Sequence, residues 1–139
     1  MITYIKITSL ESLDIEYVES LPICVFGGSK SKAALDMIHR LMGDGIVFNG
    51  REVESVEGVL SESDRLLSAF SKFLMLVESC NDNRPVFICD FFERLDEAID
   101  VRSVFEELNL SGRKVFVSVG ENYPVGVKIY GFGKDIFRR

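Results

Sequence analysis

Tryptophan and glutamine are absent from this chain, histidine occurs once, as His39, and cysteine and proline occur three times each. Each shortage excludes something. A single histidine and three cysteines without C-x-x-C spacing leave no ligand set for a zinc centre. Cys24 and Cys89 lie inside apolar, strand-like runs and Cys80 ends a helix-like one. Buried, reduced thiols are therefore expected rather than a disulfide framework. With no stretch of about 18 consecutive apolar residues, no membrane-spanning helix is expected. The start, Met1-Ile2-Thr3-Tyr4-Ile5-Lys6, lacks the basic and long apolar regions of a secretory signal, which makes the cytoplasm the expected compartment. Glutamine is thermolabile, and its absence agrees with a thermophilic source.

Positive charge is also in short supply. Sixteen lysines and arginines stand against 22 acidic residues, a net charge of −6. Basic residues gather only at Lys30 and Lys32, at Arg113 and Lys114, and at Lys134, Arg138 and Arg139 near the end. A protein that grips nucleic acid alone usually presents a basic face. Nucleic acid is thus expected only as a weak or indirect partner.

What the chain does contain is apolar sequence in periodic runs. With 139 residues and 47% apolar content, it is long enough for one well-filled core, and residues 1–139 read as a single domain. Alternation over 3–7 predicts a first strand, and apolar runs at 22–27, 45–50, 86–91 and 114–120 predict four more. Helical spacing predicts helices over 9–21, 31–42, 61–80 and 93–108. Ser9 caps the first and Pro22 ends it, and Ser61 to Asp64 has capping-box spacing. In the second helix Leu35, Ile38, Leu41 and Met42 form the expected buried stripe. Residues 51–59 read as loop. A last strand over 125–132 can pair antiparallel with its predecessor, since the gap between them is too short for a helical crossover. Strands alternating with helices predict a three-layer α/β domain, a mostly parallel central sheet with helices on both faces.

Two strand ends carry chemistry. The first is Ile23-Cys24-Val25-Phe26-Gly27-Gly28-Ser29-Lys30-Ser31-Lys32-Ala33. A strand running through glycines into a helix N-terminus can hold phosphate, because free amides and the helix dipole face the anion. Gly27, Gly28, Ser29, Lys30, Ser31 and Lys32 are the candidates. They do not spell G-x-x-x-x-G-K-[ST]: Ala33 follows Lys32 where a hydroxyl would meet Mg²⁺. A plain strand-to-helix turn of small residues explains the same loop. The second strand, Val86-Phe87-Ile88-Cys89, closes on Asp90, placed for water-mediated contact with Mg²⁺ or, alternatively, to cap a following helix. Glu52, after the third strand, is a candidate to polarise an attacking water, against the reading of a solvated loop acid. Glu54 and Glu93 share that ambiguity. His39 lies off the apolar stripe of its helix and reads as a surface residue.

In order, these segments resemble the RecA/KaiC superfamily of P-loop ATPases. Leu13-Asp14 is similar to the leucine-aspartate pair before the P-loop strand, and Ile23 to Leu35 occupies the Walker A place. Ile46 to Glu52 resembles the strand leading to a catalytic glutamate, Val86 to Asp90 resembles Walker B, and Val115 to Val119 resembles the sensor strand, with Ser118 as its polar residue. The resemblance implies a RecA-like core, with the Gly27 and Asp90 strands neighbours or near-neighbours in the sheet centre. It implies ATP and Mg²⁺ as cofactors, and side-by-side assembly with itself or a related ATPase subunit. Strand order intact beside an altered loop leads to the expectation of a degenerate paralogue, without efficient ATP hydrolysis, acting through its surface. The alternatives are an NTP-binding enzyme with a non-standard loop and a receiver- or flavodoxin-like binding domain. Abundant phenylalanine leads to the further expectation that an aromatic cluster among Phe70, Phe73, Phe91, Phe92 and Phe132 is exposed for an interface.

Overall fold

Short apolar runs closed by glycine or a polar residue form the strands β1 (Ile2–Lys6), β2 (Ile23–Gly27), β3 (Ile46–Asn49), β4 (Val86–Cys89) and β5 (Val115–Ser118). Longer amphipathic runs form the helices α1 (Ile15–Ser20), α2 (Ser31–Met42), α3 (Glu62–Ser79) and α4 (Arg102–Leu110). The computed structural model describes residues 2–53, 61–96 and 102–121, without the side chains of 102–104. Among the described residues one sheet has the order β1-β2-β5-β4-β3, and all its pairings are parallel.

Right-handed crossovers decide the layers. From β1 to β2 and on to β3 the chain moves one way across the sheet, and from β3 through β4 to β5 it moves back. Reversing the direction reverses the face. Accordingly Cys24, Phe26, Phe87, Cys89 and Phe116 pack with Val18 of α1 and Ala34, Leu35 and Ile38 of α2. Val25, Phe48, Ile88 and Val117 pack on the opposite side with Leu66, Phe70, Phe73 and Val77 of α3 and Phe105 and Leu108 of α4. The central strands β2, β4 and β5 are buried along their whole length, as strands covered on both faces must be. The three-layer α/β architecture read from the periodicity is therefore the architecture adopted.

Several local expectations are corrected. The first helix is split. Ser9 caps a 3-10 turn at Leu10–Ser12, and Asp14 then caps α1 by accepting from the Tyr17 amide at 3.1 Å. A second capping residue inside the apolar period restarts the helix. Leu41 is 55% exposed and leaves the buried stripe of α2, where Ala34 takes its place. The segment after Asp90 begins with a 3-10 turn at Phe92–Arg94 that ends at Leu95 in extended backbone, so no helix starts at Glu93. Among the described residues the strand order also differs from the 2-1-3-4-5 order of flavodoxin and receiver domains. Glu54, the strand over 125–132, Phe132 and the basic residues Lys134, Arg138 and Arg139 lie outside the described residues.

The amino edge of the sheet is held by one buried cation. Arg113, 2% exposed, donates to the Asp82 carboxylate at 2.9 Å and to the carbonyls of Arg84, Cys80 and Val77 at 3.0, 3.2 and 3.4 Å. Through Val77 and the cap residue Cys80 it meets the carbonyl end of α3.

Candidate functional site

Because all described strands are parallel, their carboxyl ends share one edge, where open α/β sheets place ligands. The connections reverse direction between β2, which leads to α2 on one face, and β4, which leads to α4 on the other. β5 lies between them. Gly27 to Lys32, Asp90 and Gly120 meet at this reversal.

The β2–α2 turn is short, Gly28-Ser29-Lys30. Gly28 has a φ of 93°, and a Cβ there would lie 2.5 Å from the Ile7 carbonyl, so only glycine fits. The amides of Gly28, Lys30 and Ser31 are bonded to protein. Lys30 N–H donates to the Ile7 carbonyl at 3.0 Å, and Ser31 N–H to the Gly28 carbonyl at 3.2 Å. Gly28 N–H donates to the Gly120 carbonyl at 3.2 Å, while Gly120 N–H donates to Ser31 Oγ at 3.2 Å. Gly120 thus bridges both sides of the turn with its own backbone. Ser29 and Lys30 are exposed, and Gly27, Gly28 and Ser31 are buried.

Lys32, on the first turn of α2, reaches Asp90 across the end of β5. Its Nζ lies 2.8 Å from Oδ2. The hydrogen bond that Lys32 donates to Asp90 holds its ammonium above the ordinary pKa, while partial burial opposes the shift. On the other side Arg51 Nε lies 3.4 Å from Asp90 Oδ1. Local chemistry aims that arginine. The Asn49 side chain accepts from Arg51 N–H at 2.9 Å, starting a 3-10 turn over Gly50–Glu52. Gly50 permits the approach, since a Cβ there would lie 1.8 Å from the Asp90 carbonyl. Asp90 itself is buried and has a φ of 52°, the left-handed region that aspartate tolerates better than most residues. It caps no helix: the 3-10 turn after it begins at Phe91 without a side-chain cap.

Glu93 comes back toward the same edge. Its Oε1 accepts from Phe91 N–H at 3.0 Å, and a Cβ on Gly120 would lie 3.4 Å from its Oε2. Burial pushes its carboxyl up from the ordinary value of 4.5, and the Asp90 charge adds to the effect. Burial likewise pushes the Cys24 thiol up to about 12 and the Cys89 thiol up to about 11, so neither is an activated nucleophile.

The structure therefore brings Lys32 and Asp90 together, as the sequence order suggested, and leaves Glu52 exposed on its turn while its neighbour Arg51 faces Asp90. His39 is half-buried, its ring 4.5 Å from that of Phe87, packed beneath α2 instead of standing free on the surface. Ser118, the last residue of β5, is buried in the sheet. Sequence reasoning missed Arg51, Gly50 and Gly120. The signal available for the first was a glycine and a cation directly after a strand that ends on the same edge.

These residues do not fit a magnesium ion. Each Asp90 oxygen already faces a cation, and the Ser31 hydroxyl already accepts from Gly120. Among the described residues no group of three or more histidine, cysteine, aspartate or glutamate side chains is placed to hold a metal. Comparison with protein-family models, curated proteins and solved structures found no match.

Proposed function

We propose that this chain is a degenerate RecA/KaiC-like P-loop domain that acts mainly as a protein-interaction or assembly partner, pairing with itself or a related ATPase subunit, without efficient ATP hydrolysis. The observation that carries the reading is the Gly120 backbone bonded to both Gly28 and Ser31, which engages one amide and one hydroxyl of the turn that a phosphate loop would offer to the anion. The placement of β2 and β4 on either side of β5 supports the RecA-like part of the reading. The Lys32–Asp90 pair supports the degenerate part. A lysine needed by phosphate and a carboxylate needed by a metal neutralise each other instead.

One observation favours a second reading, nucleotide binding through a non-standard loop. The Lys32 and Arg51 side chains are 44% and 70% exposed, so two cations at the carboxyl edge remain open to solvent.

Calorimetry and a steady-state ATPase assay on the full chain separate the two. The first reading expects no nucleotide-dependent heat at millimolar ATP with Mg²⁺, and no turnover. Turnover on the order of 1 s⁻¹ that is lost in Lys32→Ala would sink it. Binding without turnover, weakened in Lys32→Ala and Asp90→Ala alike, would establish the second.

A further inference from the structure

A second concave feature lies at the amino edge of the sheet, the edge opposite Asp90. Helices run antiparallel to the strands they cover, so α3 and α4 both end there. Between their C-terminal ends is a cavity of about 300 Å³. Leu74, Val77 and Leu108 give it an apolar floor, and Glu78, Asp82 and Glu107 supply carboxylates around it.

We propose that this hollow docks a basic, amphipathic segment of a partner protein and takes one lysine or arginine side chain into the cavity. Three observations select that occupant. First, the field is negative. Glu78 and Glu107 are exposed acids at the cavity, and the C-terminal end of α4 adds partial negative charge, whereas Asp82 is paired with Arg113 and Arg84. The one cation at the cavity, Arg113, is consumed by Asp82 and three backbone carbonyls. Arg113 also holds the Asp82 carboxyl below its usual range, so that acid stays ionised. Second, the apolar floor suits the aliphatic stem of lysine or arginine, which buries its methylenes while its head stays among acids. Third, the three most exposed large apolar side chains among the described residues are Leu110 at 85%, Met75 at 70% and Leu76 at 58%. All three stand on the last turns of these same two helices. None of the three lines the cavity itself, so the surface a partner would cover extends past it over the ends of the two helices. A second copy of this chain is the poorer occupant, because its net charge of −6 sets acid against acid.

The site is independent of whether nucleotide binds at the carboxyl edge, so the ATPase and calorimetric results leave it untouched. The test titrates the ¹⁵N-labelled full chain with a helical peptide of leucine and lysine, with its glutamate-for-lysine counterpart, and with agmatine. The lysine peptide is expected to shift the amides of residues 74–82 and 107–113, and the glutamate peptide to leave them in place. The exposed pair Glu78→Lys with Glu107→Lys is expected to weaken the lysine peptide about tenfold, and Leu110→Asp to weaken it separately. Unchanged thermal midpoints check that both variants fold. Shifts scattered over the surface, equal response to both peptides, or agmatine binding as tightly as the peptide would overturn the proposal. So would self-association in sedimentation equilibrium that Leu110→Asp abolishes.

Discussion

Asp90 sits in a left-handed backbone conformation that costs an ordinary residue about 1–2 kcal/mol, and Lys32 of α2 and Arg51 after β3 both face its carboxylate. Its neighbour Glu93 shows the opposite balance. It is half-buried, the charge of neighbouring Arg94 does not offset its loss of water, and it accepts a hydrogen bond from Phe91 N–H. Its carboxyl therefore holds a proton more readily in the folded chain than in the unfolded one. The protonated form favours folding at acid pH, and that contribution is lost as pH rises above 4.5 and through the raised folded value. Glu93→Gln keeps an acceptor for Phe91 and cannot ionise. It is expected to melt higher than the native chain near neutral pH and level with it at about pH 4. Thermal scans at the two pH values check this, and a gap of equal size at both would assign the effect to something other than ionisation.

At the scale of elements, turns matter more than helices. Gly28 and Gly43 both have positive φ, 93° and 81°, but their surroundings differ. A Cβ at Gly43 meets nothing within 4 Å, whereas at Gly28 it meets the Ile7 backbone at 2.5 Å. Gly43→Ala is expected to cost about 1 kcal/mol, the backbone term alone. Gly28→Ala is expected to cost about 3 kcal/mol, because main chain must move. Chemical denaturation of the two variants reads the difference, and equal costs would mean that the β2–α2 turn is not rigidly held against β1. Such contacts explain what was legible in the sequence and what was not. The glycines marked the turns. That Gly120 would fill one of them depends on a residue 89 positions from Ser31, and no local pattern reports a pairing that distant. The split of the first helix was legible in principle, since Asp14 is a good cap, but the apolar period ran through it and hid the break.

Across the whole molecule, aromatic side chains bind one face of the sheet to its helices. Phe70 stacks on Phe91 with ring centroids 4.4 Å apart and meets the edges of the Phe48 and Phe92 rings at 5.2 and 6.3 Å. Phe70, Phe73, Phe91 and Phe92 are all buried, which overturns the expectation of an exposed aromatic cluster among them. A sheet covered on both faces simply has room for more phenylalanine than a one-sided core. Phe70→Ala is expected to cost about 3–5 kcal/mol, while Met75→Ala, at a side chain 70% exposed, is expected to stay within about 0.5 kcal/mol of the native chain. Similar losses at both positions would place Met75 in an interface of the assembled protein.

Composition and periodicity alone were enough to decide that this chain makes strands alternating with helices, where most of them lie, and that Lys32 and Asp90 end up on one edge. Those properties follow from neighbouring residues: apolar spacing, capping side chains and glycine at turns act over a few positions. Only the folded sheet decided that β5 enters between β2 and β4, that Arg51 and not Glu52 turns to Asp90, and that the Gly120 backbone closes the loop beside Ser31. Those outcomes depend on strand order, and strand order is a competition among long-range pairings that the local sequence leaves nearly equal.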